Sequence, residues 1–392
     1  MEKNFTIVIP TRERSKTLFS TLKTCVAQNY ERLKIIVSDN ASQDDTRDII
    51  QSFSDPRIRY INPGRRRSMA GNFEFALAHV DGDYVISIGD DDAFASNAIE
   101  RVNEIVTREP TGALTIERAQ YDWPGMGQGR ENQILFTLKS GYEQRQTSRY
   151  YPSVLNGWMS YYKIPIIYQG FISVPVLAEV KRRCGKVFLS QQLDLFSALL
   201  FGGLVDQYVH VNEPLVINGA SSKSNGAQHF GQVNDVTELK KWEKENDIPL
   251  REGFEFARSI RFLLAESYLQ GRDVFPELSK YPIDLINVLE NAIAEVRSVD
   301  DDESERIVRR VAARYGVDLS GKCVRLHIKS MLLKVRKYGN WAQKFGSSLV
   351  VDCTPYEVNE IAGAVDLMEK TRRKPREAWR FGEQLVLAAR RR

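Results

Sequence analysis

Three consecutive carboxylates, Asp90-Asp91-Asp92, follow the run Tyr84-Val85-Ile86-Ser87-Ile88-Gly89. A short apolar run of this kind reads as a buried strand, so the acids fall at its C-terminal edge. In an open α/β sheet, ligands collect outside the carboxyl ends of the strands. Neighbouring carboxylates repel, and a hard divalent ion relieves the repulsion. Mg²⁺ or Mn²⁺ takes oxygen ligands and links one or two carboxylates to substrate phosphates. The competing reading is a solvated acidic turn that closes the strand.

Other residues carry the same double reading. Asp39, next to Asn40 at the end of a second apolar run, either shapes a turn through local hydrogen bonds or accepts the ring N–H of a uracil or thymine. Pro10 and Thr11 close the first run and would wall the same slot, with Arg12 following. Arg65-Arg66-Arg67 is either a solvated basic face or a source of guanidinium for clamping a diphosphate. Asn72 is either a helix-surface residue or a donor contact. His229, in a Gly- and Ser-rich stretch, is either a loop histidine or the residue that completes a metal shell as a loop closes.

These residues are delivered by an alternation of strands and helices. Strands are expected over 5–9, 33–38, 57–61 and 83–88, with helices over 15–28, from a cap at 42 through 53, over 68–79 and over 97–107. Ser42-x-x-Asp45 resembles a capping arrangement. Residues 113–121 read as one further strand, and 171–174 as another leading into a helix. Tyr150, Tyr151, Trp158, Tyr161, Tyr162 and Tyr168 form an aromatic cluster, read as core or interface or else as a platform for sugar rings. Gln191 to Leu200 is an apolar helix with one acid, Asp194. Such alternation predicts an α/β fold with a mostly parallel sheet covered by helices on both faces.

Beyond about 218 the alternation gives way to helical periodicity. A catalytic α/β domain over 1–225 and a mainly α-helical C-terminal domain over 226–392 are therefore expected. Thr354-Pro355-Tyr356-Glu357 has the residues of a helix start. Arg325, Lys329, Arg336 and Lys337 lie off an apolar helical face, and the tail adds Lys370, Arg372, Arg373 and Arg390-Arg391-Arg392. Those basic amphipathic segments read either as helices packed on the catalytic domain or as a contact with an anionic membrane surface.

A length of 392 residues with 42% hydrophobic and 27% charged residues belongs to a globular protein. No apolar run approaches the roughly 18 residues that cross a bilayer, and no signal-peptide pattern opens the chain. Cys25, Cys184, Cys323 and Cys353 have no paired spacing, so neither a zinc site nor a disulfide framework is indicated. The expectation is a cytoplasmic chain, peripheral on the inner face of the membrane if the basic segments touch it. A net charge of +4 is mild, and no nucleic-acid recognition motif accompanies it.

The order of motifs narrows the choice. A strand ending in Pro10-Thr11, then Gln28-Asn29-Tyr30, then Ile35 to Ser42 with Asp39 and Asp44, then Gly71-Asn72 and Gly82-Asp83-Tyr84 before the acids, resembles the nucleotide-diphospho-sugar glycosyltransferases of family two, which have the GT-A fold. The resemblance covers roughly residues 4–220. It implies a metal-dependent inverting glycosyltransferase using a UDP- or dTDP-linked sugar. The acceptor implied is a glycan or a lipid-linked glycan in surface-polysaccharide synthesis. Asp39 would read the base; Asp90 and Asp91 would bind the donor's ribose and diphosphate, together with Arg65 and Asn72. Asp91, Asp92 and His229 would hold the metal. Gly170-Phe171 followed by Gln191-Gln192-Leu193-Asp194 resembles the region of the family's general base, which makes Asp194 the catalytic candidate. Two rivals stand beside this. A metal-dependent nucleotidyltransferase would normally carry a Gly-rich basic loop after the first strand, whereas Pro10-Thr11-Arg12-Glu13-Arg14 has no glycine. The other is a non-catalytic scaffold working through its basic tail.

Overall fold

The structure is a computed structural model and describes residues 2–126, 131–222, 224, 244–319 and 348–373. His229, Cys323, Arg325, Lys329, Arg336, Lys337 and the tail beyond Arg373 lie outside the described residues.

β1 (Phe5–Thr11), β2 (Leu33–Asp39), β3 (Ile58–Ile61) and β4 (Tyr84–Ser87) run parallel. They are joined by α1 (Ser15–Val26), α2 (Thr46–Ser52) and α3 (Met69–Leu77). Ile7, Val8 and Ile9 are all fully buried, because helices cover both faces of the sheet and leave no side for alternating polar residues. α1 and α4 (Ala98–Arg108) pack on the face of Ile7, Ile9 and Ile35. α3 joins α5 (Thr147–Leu155), α6 (Val174–Cys184) and α7 (Leu193–Leu204) in the core on the face of Val8, Ile36 and Val85. The register sets Thr11 beside Asp39, and Val8 beside Ser87. The ends of β1, β2 and β4 therefore meet at one edge.

With β6 (Ala113–Ile116), β9 (Tyr142–Gln146), β10 (Phe171–Ser173) and β11 (Gln207–Val211), the sheet has the order β3-β2-β1-β4-β10-β6-β11-β9. The expected parallel sheet holds from β3 to β4; beyond β4 the sheet is mixed, since β10 runs antiparallel to both neighbours. The single strand expected over 113–121 is two strands. Glu117 and Arg118 interrupt it, because two charged side chains cannot continue a strand buried on both faces. The chain then enters a second sheet as β7 (Ala119–Asp122). β11 crosses likewise into β12 (Val216–Ala220), and both pairs stay parallel. β5 (Ala93–Phe94), β8 (Gln133–Thr137) and β13 (Ser348–Asp352) complete this sheet. The acid turn lies between β4 of the first sheet and β5 of the second.

The C-terminal region is helical: α8 (Ile260–Val274), α9 (Leu285–Arg297), α10 (Asp302–Arg314) and α11 (Ile361–Arg373). It does not stand apart. Phe196 and Leu199 of α7 share a core with Phe262, Leu263 and Leu289, while β13 adds a C-terminal strand to the second sheet. Thr354-Pro355-Tyr356 forms only a 3-10 turn, with Glu357 at φ 57° beyond it, and α11 begins later. That helix buries Ile361, Ala364, Val365 and Met368, and Arg372 donates to the Lys139 carbonyl at 3.0 Å.

Candidate active site

The three acids differ in what they touch. Asp90 is buried and accepts from Thr11 Oγ1 at 2.7 Å and from Arg14 Nη1 at 3.0 Å. Burial raises its pKa, with Arg14 pulling the other way. Asp92 is fully buried; its Oδ1 accepts the Gly219 N–H at 2.8 Å. Its Oδ2 accepts from the Gly89 N–H at 2.7 Å, Tyr168 Oη at 2.9 Å and Gln169 Nε2 at 2.7 Å. Burial, with Asp91 adding to it, pushes the Asp92 carboxyl up to about 6. Asp91 Oδ2 accepts from Ser221 Oγ at 2.7 Å and Ser224 Oγ at 2.6 Å. Its Oδ1 is the one carboxylate oxygen of the three without a donor among the described residues.

Position 219 needs glycine. A Cβ there would come within 1.7 Å of the Asp91 carbonyl oxygen, a separation that real Cβ atoms do not reach. The Trp123 indole N–H donates to the same carbonyl at 3.0 Å. The turn is thus pinned from β7 and β12, and Asp92 belongs to its framework. Among the described residues no group of three or more His, Cys, Asp and Glu is placed to hold a metal. Hard ions such as Mg²⁺ need only one or two carboxylates when substrate phosphates supply other oxygens. The open oxygen of Asp91 fits that requirement.

One strand over, Asp39 is buried, with Oδ1 accepting the Ser42 N–H at 3.0 Å. Its Oδ2 accepts from Tyr60 Oη at 2.8 Å and Asn62 Nδ2 at 3.2 Å. Pro10 and Thr11 border it through the β1–β2 register. Asn72 is buried and spends its amide on Ser38, accepting from Ser38 Oγ at 2.8 Å and donating to the Ser38 carbonyl at 3.1 Å. It therefore holds β2 in place. Of the arginine triplet, Arg65 is exposed and Arg67 lies over the Phe75 ring at 4.7 Å. Arg66 pairs with Glu245 at 2.8 Å, which also binds Arg12 at 2.7 Å.

Asp194 is half-buried in the first turn of α7, where the helix dipole favours negative charge. Oδ2 accepts from Tyr161 Oη at 2.7 Å and Tyr162 Oη at 3.0 Å; Oδ1 accepts the Leu195 N–H at 2.8 Å. The Arg118 guanidinium covers the Tyr162 ring at 3.3 Å from its centroid and donates to Gln169 Oε1 at 2.6 Å. Gln169 is bonded in turn to Asp92. Asp92, Gln169, Arg118, Tyr162 and Asp194 therefore form one line of contacts, which puts the acid turn and Asp194 on the same side of the fold.

Arg14, Arg118, Gln169, Ser221 and Ser224 were not singled out by their sequence context. Gln169 has a left-handed backbone, φ 60°, which costs a non-glycine residue about 1–2 kcal/mol. Its side chain also donates to Asn218 Oδ1 at 2.9 Å. Arg118 carried a readable signal, a charged pair inside an apolar run. The aromatic cluster divides: Tyr151 is core and Trp158 is exposed, while Tyr161, Tyr162 and Tyr168 reach the acids.

Residues 6–167 match the family described as Glycosyl transferase family 2. Over 96 residues the chain is 33% identical to a GalNAc(5)-diNAcBac-PP-undecaprenol beta-1,3-glucosyltransferase of Campylobacter jejuni, covering 24% of this chain and 31% of that protein. Over 93 residues it is 31% identical to the UDP-Glc:alpha-D-GlcNAc-diphosphoundecaprenol beta-1,3-glucosyltransferase WfaP of Escherichia coli, covering 24% of this chain and 37% of that one. The matched stretch thus spans about a third of these relatives' own length. Among solved structures, S. aureus TarS in complex with UDP-GlcNAc is 13% identical, with a TM-score of 0.47 over 81% of this chain and 93% of that one.

Proposed function

We propose that this chain, which matches the family described as Glycosyl transferase family 2 over residues 6–167, moves a sugar, with inversion, from a nucleoside diphosphate to an acceptor hydroxyl. The observation that carries this reading is the common edge: Asp39 beside Thr11, Thr11 bonded to Asp90, and Asp92 linked to Asp194 through Gln169, Arg118 and Tyr162.

A uracil or thymine ring N–H would be read by Asp39, whose Oδ1 accepts one donor among the described residues. Arg12 and an arginine of the 65–67 loop would clamp the diphosphate. Mg²⁺ or Mn²⁺ held by Asp91, with His229 as a further candidate ligand, would neutralise charge on the departing diphosphate. Asp92 fixes the turn that presents Asp91. Asp194 takes the acceptor's proton as the hydroxyl oxygen attacks the anomeric carbon. The bond from that carbon to the diphosphate oxygen breaks, and its electron pair leaves with the nucleoside diphosphate.

The relatives named for undecaprenol-linked substrates favour a lipid-linked glycan as acceptor, with the protein working at the inner face of a membrane. No helix among the described residues is long and apolar enough to cross one.

Incubation with a panel of nucleotide sugars and Mn²⁺ tests the reading. Release of nucleoside diphosphate is expected. Pyrophosphate release would point to nucleotidyl transfer instead, and absence of both release and nucleotide binding would point to a scaffold.

A further inference from the structure

We propose that Tyr161, Tyr162 and Arg118 are positioning residues that fix the Asp194 carboxylate so that Oδ1, and not Oδ2, receives the acceptor's proton. The inference rests on the proposed role of Asp194 and assigns parts to three side chains that the sequence left as a general aromatic cluster or a strand residue.

A carboxylate oxygen has two lone-pair directions. Oδ2 of Asp194 uses both, one on each phenol, at 2.7 Å and 3.0 Å. Among the described residues Oδ1 accepts only the Leu195 N–H, which leaves one direction open for the acceptor. The phenols are dependable donors. Burial and the neighbouring carboxylate raise the pKa of both tyrosines, so each keeps its proton wherever the enzyme would work. Their rings are 4.4 Å apart, and the two hydroxyls lie 3.3 Å from one another.

The pair is itself held rigidly. Tyr161 to Lys163 form a 3-10 turn capped by Ser160 Oγ, which accepts the Tyr162 N–H at 3.4 Å. Lys163 pairs with Glu117, and its carbonyl accepts from Tyr208 Oη at 2.5 Å. Arg118, the residue after Glu117, covers the Tyr162 ring and reaches Gln169. The break between β6 and β7 thus supplies both a tether for the 3-10 turn and the cation over its second ring. When the acceptor hydroxyl gives its proton to Oδ1, the phenols hold the carboxylate plane, and the sugar oxygen forms its new bond to the anomeric carbon.

The test uses the full chain with UDP-glucose as donor, Mn²⁺, and α-D-GlcNAc-diphosphoundecaprenol as the acceptor probe; UDP binding is measured in parallel. Tyr161→Phe and Tyr162→Phe keep the rings and remove one donor each. Each is expected to lower kcat about tenfold, the size expected for one hydrogen bond to a charged group. The double variant should lose more than either single one. The KM for UDP-glucose and the Kd for UDP stay within about twofold, a split that a merely structural role would not give. Arg118→Ala should also lower kcat, and Arg118→Lys, which keeps a cation over the ring, should recover part of it. Full kcat in the double Phe variant overturns the inference. So does a loss of UDP affinity that matches the loss of kcat. Wild-type protein that transfers nothing with any donor of the nucleotide-sugar panel, or an Asp194→Asn variant that still transfers, overturns the underlying reading and the inference with it.

Discussion

Replacing Glu245 with Gln should tighten the binding of a nucleoside diphosphate. Glu245 accepts from Arg12 Nη1 at 2.7 Å through Oε2 and from Arg66 Nη2 at 2.8 Å through Oε1. A carboxylate of the chain therefore occupies the guanidiniums proposed for the diphosphate. The side chains of Arg12, Arg66 and Glu245 keep 31%, 42% and 26% of their surface open to water. Ion pairs exposed to this extent contribute about 0.2–1 kcal/mol each. Two of them make Glu245 a competitor of about 1 kcal/mol, or about fivefold in Kd. Gln keeps the shape and removes the charge. Calorimetry with UDP and Mn²⁺ should give a Kd about fivefold lower for Glu245→Gln than for wild type, at low salt. Screening should narrow the gap as salt is raised, and in an Arg12→Ala background the gain should shrink. A Kd unchanged or weakened by Glu245→Gln would refute the idea that the carboxylate and the diphosphate share these arginines.

Asp194→Asn should keep UDP binding and lower transfer by about 10²-fold or more, the scale of general-base catalysis; unchanged turnover would remove Asp194 from the mechanism. Gly219→Ala forces a Cβ against the Asp91 carbonyl and strains the N–H bond to Asp92, so urea unfolding should register a loss of about 3 kcal/mol or more. A loss under about 1 kcal/mol would mean that the turn relaxes freely. The Asp92 carboxyl, raised by burial to about 6, titrates in the unfolded chain near 3.9. Its contribution to stability is fully present below the unfolded value and is lost as pH rises through about 6. In metal-free buffer the stability of wild type relative to Asp92→Asn should therefore fall by about 2–3 kcal/mol between pH 4 and pH 7; a difference independent of pH would contradict the assignment.

Much of the first half of the fold was legible because both-face burial leaves a plain mark, continuous apolar runs such as Phe5 to Ile9 and Leu33 to Val37. The same runs located Asp39 and the acid turn at strand ends. What could not be read is where the chain leaves one sheet for another. Ala113 to Tyr121 reads as one strand by composition; the charged pair Glu117-Arg118 marks the interruption, but its contacts with Lys163 and Gln169, which show where the chain turns, are not in the sequence. The separate roles of the three acids were equally hidden, since they depend on Ser221, Ser224 and Gly219 from a distant strand. Asn72 illustrates a second hidden role: the resemblance implied a donor contact, and the structure adds a tie to β2, with Ser38 donating to its Oδ1 and accepting from its Nδ2. Thr354-Pro355 shows that capping residues alone do not start a helix when the next residues turn away.

The most direct test of the account is a crystal structure of the protein with UDP and Mn²⁺. The uracil ring is expected at Asp39, the ion on Asp91, the diphosphate against Arg12, and Asp194 facing the same cleft across from the β-phosphate. Nucleotide bound on another surface, or a diphosphate with Asp194 on the far side of the sheet from it, would contradict the central claim.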